Sequence, residues 1–100
     1  MTASQANHFQ LTAMVLEVQN LRYTPAGIPV LNLLLEHESS VTEMDAPRRV
    51  KLQVRAVAFG VLAETLSRQA LTSVCRFAGF MAHARNGKGL VFHIQDFSKT

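Results

Sequence analysis

The sequence predicts an all-β chain, a five-stranded Greek-key barrel with one short helix between strands three and four. Three observations carry this. Apolar residues recur at every second position through most of the chain, the period of a strand with one buried face. Breaks at Thr24–Pro29, Val41–Pro47 and Arg85–Gly89 cut that pattern into strand-length pieces. Only Gly60 to Ala70 leaves the alternation.

The first strand is expected over about Phe9 to Arg22. Phe9, Leu11, Ala13 and Val15 are apolar at odd positions, then Leu16 and Val18 at even ones. A β-bulge near Met14 accounts for the switch and bends the strand, as a curling sheet requires. Leu31, Leu33 and Leu35 mark the inner face of a second strand, about Val30 to Glu38. In the third, Val50, Leu52, Val54, Ala56 and Ala58 alternate with Lys51, Gln53 and Arg55, giving one core face and one basic face. Leu62, Thr65 and Leu66 form a short helical stripe. Cys75, Phe77, Gly79 and Met81 then share a face of the fourth strand, and Leu90, Phe92 and Ile94 mark the fifth. Asn86-Gly87 between them is a hairpin signal, because both residues tolerate positive φ. Five strands with a helix after the third match the OB-fold barrel. A small β-sandwich ordinarily needs seven or more.

The 100 residues suffice for one core, burying roughly 60–70% of the unfolded surface. One domain over residues 1–100 is expected, with 1–8 frayed. No apolar run nears the ~18 residues of a membrane span, and Met1–His8 lacks the form of a secretory signal. The expected setting is cytoplasmic, with no membrane contact. Cys75 is the single cysteine, which excludes an intrachain disulfide and a four-thiolate zinc site. His37, His83 and His93 share no ligand spacing, so no metal is expected. No cofactor loop and no nucleophile motif stands out, and an enzyme is not expected.

Charge is uneven. Eight basic residues lie between Arg48 and Lys88 against one acid, Glu64, whereas Met1 to Pro47 holds five acids and only Arg22. Such asymmetry points to an anionic partner. Single-strand binders pair a basic groove with aromatic platforms. Arg49, Lys51, Gln53 and Arg55 would supply the groove, and the hairpin with Arg85 and Lys88 would close over it. Phe9, Phe77 and Phe92 fall in core phase. Tyr23 and Phe59 lie off it, free either to stack on bases or to cover a barrel end.

The segment Arg22-Tyr-Thr-Pro-Ala-Gly-Ile-Pro29, the strand end Leu35-Glu-His-Glu-Ser39, Gly79-Phe80 and the hairpin His83-Ala-Arg-Asn-Gly87 resemble the PriB primosomal replication proteins, which are related to single-strand DNA-binding proteins. The resemblance runs from about Leu11 to Phe97. It implies a homodimeric OB-fold protein of replication restart that binds single-stranded DNA and works with the PriA helicase and, where present, a DnaT-like loader. By position it carries DNA contact to Arg22, Arg48 and Arg85. Lys51 stands where some members have tryptophan, Ala46 or Pro47 where they have a loop aromatic, Glu38 where some are basic, and His83 in place of lysine. Met14, Leu16 and Val18 are the expected dimer surface, left uncovered by the phase switch. Two alternatives remain: a primosome adaptor that binds DNA weakly, and a general OB-fold RNA binder.

Overall fold

The computed structural model describes residues 6–69 and 74–100. Its elements are β1 (Phe9–Val18), β2 (Arg22–Tyr23), β3 (Pro29–Glu43), β4 (Ala46–Phe59), α1 (Val61–Ser67), β5 (Val74–His83) and β6 (Leu90–Lys99). β2 is a two-residue ribbon on the margin of β3. The other five strands close a barrel. β1 pairs antiparallel with both β3 and β5, β3 with β4, and β5 with β6. A short parallel pairing of Ala56 and Val57 with Phe92 and His93 joins β4 to β6 and seals it. This is the OB-fold barrel, with α1 between its third and fourth strands.

The core follows the alternation. Leu31, Leu35, Ala58, Phe77 and Phe92 are buried, with Ala63 and Leu66 of α1 packed onto them. Phe9 departs from the expected phase role: it lies at the open start of β1 and is 48% exposed. Asn7 stands just before it, and its side chain donates to and accepts from the Met81 backbone at 2.9 and 3.1 Å. The expected fraying of Met1–Gln5 falls outside the described residues.

The bulge in β1 is real but sits two residues later than the phase suggested. Val15 faces Leu35 and Glu17 faces Leu34, so Leu16 is the extra residue. One consequence bears on the expected dimer surface. The bulge turns Val18 inward opposite Leu33, and it packs against the core of its own barrel. Val18, like Met14 and Leu16, stays half-buried.

The Val41–Pro47 break also dissolves. β3 and β4 stay paired in unbroken register from Val30↔Phe59 to Glu43↔Ala46, so only Met44 and Asp45 form the turn. Both adopt positive φ, 52° and 62°, the geometry of a tight two-residue hairpin. Glu43 and Pro47 therefore sit within strands, tolerated because this part of the ladder is exposed on both faces. The paired ends form an arm that leaves the barrel. It raises the radius of gyration to 14.8 Å, against about 13 Å for a compact chain of this length.

A second irregularity positions the site. Between Ala78 and Gly79 the β5–β6 register slips, with Gly79 facing Ile94. A Cβ on Gly79 would lie 1.8 Å from the His93 carbonyl oxygen. Only glycine admits this approach, which sets His93 opposite Phe80.

Candidate nucleic-acid interface

The β3–β4 register settles which side chains share the outer surface. Asn32, Leu34, Glu36 and Glu38 of β3 face outward beside Arg49, Lys51, Gln53, Arg55, Val57 and Phe59 of β4. At the barrel end of this face, under the β5–β6 hairpin, lies an open groove of about 1030 Å³. Val57 and Asn32 form part of its floor, Arg22, Arg55 and Arg85 line it, and Phe59 and His93 present rings to it. Glu17 is the carboxylate among its lining residues. A neighbouring cleft of about 540 Å³ adds Lys88 beside Arg55.

The rings are ordered. Phe59 stacks on His93 with centroids 5.9 Å apart and planes at 21°, and His93 stacks on Phe80 at 4.7 Å and 15°. Three rings from β4, β6 and β5 thus form one column across the sheet. Phe59, 47% exposed, ends it with an open face. A flat π-surface beside guanidinium groups can take an unpaired base while the cations take phosphates. Sequence reading identified Phe59 but missed His93 and Phe80. Their partnership depends on the parallel β4–β6 pairing, which no local pattern encodes; the outward phase of both residues was the available signal.

The expected cations fall into two groups. The Arg22 guanidinium donates twice to Asn32 Oδ1, at 3.3 and 3.1 Å, so a neutral amide holds it over the groove without cancelling its charge. Arg55, Arg85 and Lys88 form no ion pair among the described residues. Arg48 and Arg49 do. Arg48 pairs with Glu43 at 3.0 Å, and by register it points to the other face of the arm. Arg49 pairs with Glu38 at 2.9 Å, and Gln53 donates to Glu36 at 3.3 Å. Hydrogen bonding and charge from Arg49, helped by Lys51, hold the Glu38 carboxyl below its usual range. Tyr23 is 58% exposed on β2 and is not among the groove-lining residues. The structure thus gathers Arg22, Arg55, Arg85, Lys88 and Phe59, and leaves Arg48, Arg49, Lys51 and Tyr23 outside.

His37 fixes the root of the arm. The Thr12 carbonyl can only accept, so His37 Nδ1 donates to it at 2.7 Å, leaving Nε2 to accept from the Ser39 hydroxyl at 2.8 Å. Among the described residues no group of three potential metal ligands occurs, and no helix is long and apolar enough to cross a membrane.

Comparison with known proteins agrees with this geometry. Residues 7–96 match the family described as "Another single-strand binding protein family". The replication restart protein PriB of Bordetella pertussis is 47% identical, over 89% of this chain and 84% of its own. That of Vibrio vulnificus is 35% identical over 90% of this chain and 94% of its own. The solved structure of PriB from Ralstonia solanacearum superposes with a TM-score of 0.86 at 37% identity, covering 95% of this chain and 98% of that one. A deletion mutant of the single-stranded DNA binding protein from Thermus aquaticus, at 18% identity and a TM-score of 0.76 over 95% of this chain and 50% of that one, shares the fold. A closed OB barrel with a basic, ring-bearing groove and this set of relatives has one reading: the chain belongs to the PriB replication restart protein family, a non-enzymatic branch of the single-strand binding proteins.

Proposed function

We propose that the chain binds single-stranded DNA in the groove between the β5–β6 hairpin and the outer face of β3 and β4, as a component of the replication-restart primosome. The observation that carries this is the Phe59–His93–Phe80 column opening beside Arg22, Arg55 and Arg85. An unpaired base stacks on Phe59, and the flanking phosphates lie along the guanidinium groups. Duplex DNA offers no free base face to the column and cannot use it. Four uncompensated cations at ~0.7 per phosphate give a slope of log K on log salt of roughly −2.8.

Titration of a labelled oligothymidylate, a duplex and an RNA of equal length at two salt concentrations tests the reading. Preference for the single strand is expected, with that slope. Equal duplex binding, or a slope near zero, contradicts it.

In the cell the protein works in the cytoplasm as a homodimer with the PriA helicase and, where present, a DnaT-like loader. Met14 and Leu16, half-buried on β1, are the surface available to a second copy, and sedimentation showing only monomer at micromolar concentration would remove the dimer. A protein-docking role has one specific support. Val41, Leu52 and Met44, all exposed on the arm, offer apolar contact away from the groove.

A further inference from the structure

The arm looks like a continuation of the groove, since Arg49 and Lys51 stand in the same outward row as Arg55. Its charge is arranged differently. Register sets Glu38 of β3 directly opposite Lys51 of β4, and Glu36 opposite Gln53. Glu38 also reaches diagonally to Arg49, 2.9 Å away. Its carboxylate is therefore bonded to Arg49, while Lys51 across the ladder adds attraction without an ion pair, and Glu36 accepts from Gln53 at 3.3 Å. A carboxylate and a phosphate compete for the same donors on a guanidinium. A phosphate approaching Arg49 must displace Glu38, and one approaching Lys51 meets the charge of Glu38 directly opposite and of Glu36 beyond it. Arg22 has only an amide partner, and Arg55, Arg85 and Lys88 have no carboxylate within salt-bridge distance among the described residues.

We propose that Glu38, seconded by Glu36, is a specificity-determining internal anion that withholds Arg49 and Lys51 from single-stranded DNA and confines the strand to the groove. This rests on the groove being the DNA site. It makes the arm electrostatically quiet toward nucleic acid although it carries cations, so the path of the strand ends near Arg55 and Lys88.

The test is fluorescence anisotropy of a labelled oligothymidylate against the wild type, Glu38→Gln and Glu43→Gln across a salt series. Glutamine keeps an oxygen for Arg49 and removes the charge. Freeing Arg49 and removing the charge opposite Lys51 should steepen the salt slope by about 0.7, up to about 1.4 if both then take phosphates, and tighten binding at low salt about 5- to 10-fold. Glu43→Gln changes net charge equally, but its partner Arg48 lies on the other face, so wild-type binding is expected. Arg49→Gln gives the converse reading and does not rely on Glu38→Gln folding: it should bind nearly as wild type, whereas Arg55→Gln should not. Wild-type affinity and slope in Glu38→Gln, or an Arg49→Gln loss equal to that of Arg55→Gln, overturns the proposal while the groove reading stands. No binding by wild type and Glu38→Gln alike overturns both.

Discussion

Arg55 and Arg48 lie seven positions apart on β4, both carry guanidinium groups, and the structure gives them opposite surroundings. Odd and even positions of a strand face opposite sides, so Arg55 shares the groove face with Phe59 while Arg48 turns away and pairs with Glu43. Exposed ion pairs of the Arg48 kind contribute little to stability, about 0–1 kcal/mol, so neither substitution should unfold the chain. Arg55→Ala is expected to make the salt slope shallower by about 0.7 and to weaken binding to all base compositions alike. Arg48→Ala is expected to leave both quantities unchanged, and equal losses in the two variants would show a diffuse basic surface. Much at this scale was legible beforehand. The off-phase position of Phe59 and the cations of the hairpin can be read from alternation and charge. The ion pairs could not, because Glu38 and Arg49 are eleven residues apart and meet only through a register set by the whole β3–β4 ladder.

At the scale of elements, the misread feature is the arm. Acids, a proline and few apolar residues from Val41 to Pro47 look like a loop, because strand composition ordinarily reflects a half-buried face. Here the ladder continues beyond the barrel, where no face is buried and composition stops reporting on structure. What limits the arm is its turn. Met44 and Asp45 both sit at positive φ, a conformation that costs residues with a Cβ about 1 kcal/mol or more. Asp45→Gly should relieve part of this and raise stability by about 0.5–1 kcal/mol, read as a higher midpoint in urea. A lowered midpoint would mean that the Asp45 side chain holds the turn in some other way. The bulge at Leu16 shows the reverse case. A phase switch in the sequence located it to within two residues, since a barrel strand cannot change its buried parity without one.

For the molecule as a whole, closure of the barrel makes the site. β4 and β6 are separated by α1 and β5 in the chain, yet their short parallel pairing places His93 beside Val57, and Phe59 then meets it in the stack. The OB fold was readable from strand count and helix position. The column it builds was not, because it joins three strands through contacts that exist only once the barrel shuts. The central claim is that a base stacks on the open face of Phe59. The chain contains no tryptophan, so Phe59→Trp creates a single-tryptophan reporter at that position. Emission of this variant, excited where the lone tyrosine does not absorb, should be quenched by oligothymidylate in step with the anisotropy of the labelled DNA. Unquenched emission while anisotropy reports full binding would place the bases elsewhere and contradict the account.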